Sequence, residues 1–272
     1  ELEEKGMEPP MPVADLMRRQ DVIFLLTSKS MTHTRARSVA SKEGARIASI
    51  PGVSPESFAL GGFTADHNAM AAEITSLGPK LRRVREVRVT TDIGTDLRFQ
   101  PGSRWVLEDT GICTRPGQVK NLPAGRVFVM PKEGTAQGKI VIDGSWEGRS
   151  LDNPIQLTIK DGLLASATGD SASAEIESFL EQSAEALRGG KGHLVRTFSE
   201  FSFGMNPRAR RGLGLLEDQC WRGGAMFAFG NNTVLGGTAS VHTNIRGLMT
   251  APTIEIDGKP LMTEGKYTPR LT

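Results

Sequence analysis

Val87-Arg-Val-Thr-Thr-Asp92 and the following Gly94-Thr-Asp-Leu-Arg-Phe99 decide the fold. Apolar and polar residues alternate and Gly or Asp punctuates the ends, so each reads as a short strand with one buried face. The pattern recurs in Gly125-Arg-Val-Phe-Val-Met-Pro131, in Lys139-Ile-Val-Ile-Asp-Gly-Ser-Trp146, in the stretch from Ile155 to Ala167 and in the stretch from Thr253 to Gly265. Asp-Gly pairs in these segments supply tight turns between strands. One helix interrupts the β-rich part. It is predicted over residues 173 to 188, with Ile176, Phe179, Leu180, Ala184 and Leu187 on one face and Gly189-Gly190 ending it.

Upstream the character is different. Val13, Leu16 and Met17 have helical spacing, and Asp21-Val-Ile-Phe-Leu-Leu-Thr27 is a continuous apolar run of the kind buried on both faces of a parallel sheet. Residues 28 to 42 read as a loop and helix, and residues 45 to 50 as another strand. Ser54-Pro55 fits an N-cap followed by proline at the first helical position, and Met70, Ile74, Leu77 and Leu81 carry an apolar stripe through one longer helix. Helices thus alternate with strands up to about residue 80. An α/β domain over residues 1–80 and a β-rich domain over residues 81–272 are expected. The opening at Glu1 reads like the middle of a domain, so further residues are expected before it.

Composition narrows the function. The 33 basic and 31 acidic residues nearly cancel, to +2, so bulk charge gives no reason to expect a nucleic-acid partner. The longest apolar run near the start, Val22 to Leu26, is far shorter than the roughly 20 residues that cross a bilayer, so no membrane span is expected. Cys113 and Cys220 form no CxxC pair or disulfide framework, which fits reduced thiols in the cytoplasm. No phosphate-binding loop of the GxxxxGK[ST] type occurs, and Gly212-Leu-Gly214 lacks a strand–helix context.

The remaining signals are local. Arg208, Arg210 and Arg211 sit in a Gly- and Pro-flanked loop, able to hold an anion or simply to face water. His33 either lines a cleft or belongs to a helix N-cap region with Ser30, Thr32 and Thr34. Glu217 and Asp218 either support a site or form a solvated acidic pair. Trp105, Trp146 and Trp221 read as packing anchors. His242 and Asn244 share a face if their segment is extended.

Several segments in collinear order resemble one superfamily: Ser30-Met-Thr-His-Thr-Arg-Ala-Arg37, Gly44 to Gly52, Asn121-Leu-Pro-Ala-Gly-Arg126, Pro131 to Thr135, Phe203-Gly-Met-Asn-Pro207, Gly223 to Gly230 and Ser240-Val-His242. The chain is similar to the group containing the aminopeptidase T metallopeptidases and the 2,5-dihydroxypyridine 5,6-dioxygenases. The resemblance implies a Rossmann-like α/β N-terminal domain, a β-rich α+β C-terminal domain and a homodimer. It also implies a metal: two divalent ions on two glutamates, two histidines and an aspartate in the peptidases, or one ferrous ion on two histidines and an aspartate in the dioxygenases.

Carried over by position, most of that ligand set is replaced. The glutamate of the Asn-Leu-Pro-x-Gly-Glu motif is Arg126, the first histidine is Met226, and the aspartate of His-x-Asp is Asn244; Glu200 and His242 remain. A guanidinium keeps its charge in proteins, and a thioether is a poor ligand for Zn, Mn, Co or Fe. No cofactor is expected, and if any is held it is one of those divalent metals, on Glu200 and His242. Arg126 is expected to pair with Glu200 in place of the metal. Three functions follow. The first is a hydrolase of the superfamily acting on or binding a small peptide, amide or N-heterocycle, with His242 as general base, Glu200 and Arg126 as its other catalytic groups, and His33, Met226, Asn244 and Arg208 in the cleft. The second is a non-catalytic peptide or small-molecule binder, and the third a ring-opening Fe(II) dioxygenase.

Overall fold

The computed structural model describes residues 7–268, so the expectation about the chain before Glu1 lies outside the described residues. Met11–Met17 forms a helix entered through Pro10, and the strands Val22–Leu25, Arg46–Ser49 and Val119–Asn121 make a parallel three-stranded sheet in that order. The helix Arg35–Lys42 connects the first two strands, its first turn capped by Thr34 Oγ1, which accepts from the Arg37 amide at 3.2 Å. Met17, Ile23, Leu25, Met31, Ala36, Ala40 and Ile47 pack between helices and sheet.

The run from Val22 to Leu26 departs from expectation. Ile23 and Leu25 are buried, but Val22, Phe24 and Leu26 are exposed. The strand lies at the sheet edge and only one of its faces is covered, so a continuous apolar run does not require burial on both faces. The third strand of this sheet comes from residues 119–121, well past residue 80.

The single long helix expected after Ser54 is also broken. Ser54 caps Pro55–Leu60, a 3₁₀ turn covers Gly62–Thr64, Asp66 caps His67–Ser76, and a last turn covers Gly78–Leu81. The break falls where the chain must pass very close to a buried carboxylate: a Cβ on Gly61 would stand 2.2 Å from Glu217 Oε1. Met70, Ile74, Leu77 and Leu81 are buried as expected, but in the larger core of the β-rich part.

Two mostly antiparallel sheets enclose that core. The eight-stranded sheet runs Leu163–Thr168, Ile155–Lys160, Gln137–Ile142, Asp96–Phe99, Val87–Thr90, Thr253–Ile256, Lys259–Thr263 and Lys266–Tyr267. The seven-stranded sheet runs Arg149–Ser150, Ser145–Trp146, Asn244–Thr250, Gly224–Gly230, Phe198–Gly204, Arg126–Pro131 and Pro101–Val106. Phe99 of the first sheet packs edge-on against Phe198 and Phe201 of the second, with ring centroids 5.6 and 5.2 Å apart. Phe203, Phe227 and Phe229 complete the aromatic layer, each fully buried side chain contributing on the order of 2 kcal/mol. The helix after the eight-stranded sheet spans Ser171–Glu185, capped by Asp170; Ile176 and Leu180 point inward, whereas Phe179 faces outward.

The chain is therefore an α+β protein with mostly antiparallel sheets and few helices. Among the described residues no helix is long and apolar enough to cross a membrane. Cys113 and Cys220 are both free thiols.

Candidate functional site

Strand alternation builds the site. In Phe198–Gly204, Phe201 and Phe203 enter the core, which turns Glu200 and Ser202 to the opposite face. The neighbouring strands obey the same rule: Val127 and Val129, Phe227 and Phe229, and Ile245 and Met249 face the core. Arg126, Phe128, Met226, Ala228, Asn244 and Arg246 therefore share the outer face with Glu200. The register puts Glu200, Ala228 and Arg246 in one row across three strands, with a small side chain between the two charged ones.

Arg126 lies along its own strand. Its guanidinium sits 4.3 Å above the Phe128 ring, Nη1 donates to Glu200 Oε1 at 2.5 Å, and Nε donates to Asp109 Oδ2 at 2.9 Å. All three charged side chains are almost fully buried, with side-chain exposures of 10% for Arg126, 12% for Glu200 and 13% for Asp109. Burial opposes charge on Arg126, but Glu200 and Asp109 outweigh it and hold the guanidinium above its ordinary range. Burial pushes the Asp109 carboxyl up, against the opposing pull of Arg126. Gly125 precedes Arg126, and its amide donates to the Asp109 carbonyl at 2.9 Å. Its φ of +112° suits glycine, and a Cβ there would stand 2.3 Å from Met70 Sδ.

A cavity of about 410 Å³ opens beside this cluster between the small parallel sheet and the seven-stranded sheet, within the range of small-molecule sites. Arg126, Asn244, Arg246, Asn121 and His33 line it, together with Glu147 and Glu217. Burial lowers the pKa of Arg246, Glu200 pulls it up, and Arg126 lowers it further. His33 is at the rim, its pKa lowered by burial, then by Arg37 and Arg246.

The floor is tied by a second buried group. Glu217 accepts from Ser57 Oγ at 2.6 Å, from the Gly62 amide at 2.9 Å and from the Arg210 amide at 2.9 Å. Asp218 accepts from Ser145 Oγ and from the Gly212 amide. Asn206 donates to the carbonyls of Gly62 and Ala124 and accepts from the amides of Arg208 and Ala209. These bonds fasten the helical segment 55–64 and the loop 207–214 to the sheet. Glu217 and Asp218 are thus buried structural carboxylates, not a solvated pair.

The residues singled out from sequence separate into two groups. Arg126 and Glu200 meet, and Arg126, Asn244 and His33 line the cavity. Met226 is buried in its strand opposite Ser202, outside the cavity lining. His242 is exposed, in the segment just before the strand Asn244–Thr250, and does not line the cavity either. Arg208 is exposed, and its Nε donates to Thr64 Oγ1 at 3.1 Å, bracing its own loop. Asp109 and Arg246 escaped the sequence reading. Alternation from Asn244 points to Arg246; Asp109, on a loop, carries no comparable signal.

The donor set does not fit the metal that the superfamily implies. Glu200 is engaged by a guanidinium, Met226 is a buried thioether outside the cavity lining and His242 is exposed; among the described residues no three His, Cys, Asp or Glu side chains gather where they could hold an ion.

The comparisons with known proteins agree with the fold. The curated 2,5-dihydroxypyridine 5,6-dioxygenase of Pseudomonas putida is 23% identical over 170 residues, covering 58% of this chain and 47% of that protein, so the match spans about half the relative's length. The solved structure of 2,5-dihydroxypyridine dioxygenase from Pseudomonas putida KT2440 superposes with a TM-score of 0.76 at 19% identity, over 95% of this chain and 75% of that one. Wild-type AmpT from Thermus thermophilus superposes with a TM-score of 0.60 at 13% identity, over 96% and 81% of the two chains. These two likenesses establish a shared fold. With the profile described as NicX, 2,5-dihydroxypyridine 5,6-dioxygenase, matching residues 2–269, the chain belongs to that family.

Proposed function

We propose that this protein is a metal-free member of the dioxygenase family that binds a small molecule in the cavity beside Arg126, with the guanidinium standing where relatives hold a cation. The observation that carries this reading is the buried Asp109–Arg126–Glu200 cluster: the one retained carboxylate is already satisfied by a permanent positive charge. A divalent ion would have to displace or approach that charge in a low-dielectric site, at a steep electrostatic cost. The small parallel sheet with its crossover helix serves as the Rossmann-like wall of the cavity.

The second reading is ring-opening dioxygenase activity on a dihydroxypyridine-like N-heterocycle. The family match over residues 2–269 favours it, and it is better supported by the relatives than the peptidase-like hydrolase expected from sequence. The side chains present speak against it. Elemental analysis after anaerobic incubation with Fe(II), and separately with Mn, Co and Zn, separates the two. Substoichiometric metal throughout, with no ring-opening activity, is the expected outcome. A stoichiometric ion retained through gel filtration would replace the metal-free reading with the catalytic one.

A further inference from the structure

Among the described residues three buried side-chain polar atoms have no hydrogen-bond partner: Trp105 Nε1, Ser202 Oγ and Arg246 Nε. Only Arg246 lines the cavity. A buried, unanswered donor is costly, more so when charged, so it marks a residue at which an incoming acceptor gains most.

Arg246 is held firmly in the cavity wall. Its amide donates to Glu147 Oε1 at 2.7 Å and its carbonyl accepts from the Glu147 amide at 2.9 Å, so the backbone is clamped from the neighbouring strand edge. Arg126, the other cavity guanidinium, already has both Nε and Nη1 committed to carboxylates. Lys29 and His33 add a cation and an imidazole to the same wall. The two cavity carboxylates are occupied by protein donors: Glu147 by the Arg246 amide, and Glu217 by Ser57, Gly62 and Arg210.

We infer that Arg246 anchors a small monocarboxylate ligand in this cavity. A carboxylate matches the planar edge of a guanidinium with two parallel acceptors, which a neutral amide or ring oxygen does not. A cation would face Arg126, Arg246 and Lys29, and a phosphate dianion would bring a second charge towards Glu147 and Glu217. Asn121 and Asn244 are placed to hold the rest of a small polar or ring-bearing molecule. The inference rests on the metal-free cavity proposed above, whose own test is metal uptake.

Benzoate, its neutral isostere benzamide and inorganic phosphate, titrated calorimetrically into chelator-treated full-length protein at neutral pH, test it. Benzoate is expected to bind at least about tenfold more tightly than benzamide, and phosphate not to compete. Arg246→Gln is expected to lose that preference, whereas Arg246→Lys keeps part of it because an ammonium supplies charge without the fork. Arg149→Gln, an exposed change outside the cavity, leaves it intact. Equal affinity for benzoate and benzamide, no benzoate binding at millimolar concentration, or full benzoate affinity in Arg246→Gln overturns the inference. Should Arg246→Gln fail to fold, the benzoate–benzamide ratio in the unaltered protein and in Arg246→Lys decides it. Metal retention would sink the metal-free reading while leaving that ratio measurable in stripped protein.

Discussion

Two buried acidic clusters lie beside one cavity and are stabilised by opposite means. Asp109 and Glu200 are held by a single guanidinium, Arg126. Glu217 and Asp218 have no salt bridge among the described residues and are held by neutral amides and hydroxyls from three segments of chain. The first arrangement concentrates the compensation in one side chain, whereas the second distributes it. The difference teaches which cluster is a candidate for chemistry or binding: a site that depends on one cation is easily re-specified by one substitution, while a distributed network serves to fasten loops.

The largest expected effect comes from removing the cation. Arg126→Met leaves two carboxylates facing each other in a buried site, and loss of one partner from a buried pair costs about 3–5 kcal/mol. Denaturant unfolding should show a large drop in midpoint. A change below about 1 kcal/mol would mean that the cluster is far better hydrated than its burial indicates.

Breaking the distributed cluster should cost less. Glu217→Gln keeps the shape but turns an amide NH₂ towards donors that need acceptors, an expected loss of about 1–3 kcal/mol. If it equals or exceeds that of Arg126→Met, the contrast drawn between the two clusters is wrong. A converse experiment sharpens it. The triple change Arg126→Glu, Met226→His and Asn244→Asp puts three potential ligands near Glu200 without a resident cation, so Mn(II) or Fe(II) should raise the melting temperature of the triple variant and not that of the parent. No metal-dependent stabilisation would show that these positions do not converge.

Acid acts on the distributed cluster through Asp218. Burial is the main cause raising the Asp218 carboxyl, opposed by its bonds to Ser145 and Gly212. A carboxyl raised on folding binds its proton more tightly in the native state, so stability gains as pH falls from above the folded pKa towards the unfolded value of about 3.9. Asp218→Asn removes that dependence. The stability difference between parent and variant should therefore move in the parent's favour as pH falls through this window, and a flat difference would assign Asp218 an ordinary pKa.

Legibility in the sequence follows the same division. Alternating strands were readable because the Phe- and Val-rich face of each is a period-2 signal. The helix break at Gly61 was not, since it is dictated by Glu217, a residue 156 positions away whose carboxylate occupies the space a side chain would need. The edge position of Val22–Leu25 was hidden because an apolar run says nothing about which neighbours cover it. At the site, Arg126 and Glu200 could be paired through the superfamily pattern, but Asp109 sits on a loop with no periodicity. His242 shared a candidate role with Asn244 on spacing that assumed an extended chain; the strand begins only at Asn244, and His242 is left outside the cavity.

The smallest expected effect tests whether the cavity is as positive as its lining suggests. His33 is one of four histidines, and its pKa is lowered first by burial and then by Arg37 and Arg246. For an imidazole lowered on folding, the stabilising contribution is present above the unfolded value of about 6.5 and is lost as pH falls through that value towards the folded pKa. Arg246→Gln removes one of the two cations and leaves burial in place, so the His33 resonance should titrate at a slightly higher pH, still below its ordinary value. Glu217→Gln changes a carboxylate that does not contribute to the His33 shift and should leave the titration where it is. A His33 titration that moves with Glu217 and not with Arg246 would invert the polarity assigned to the cavity: the distributed acidic cluster would set its field, and Arg246 would be electrostatically silent there.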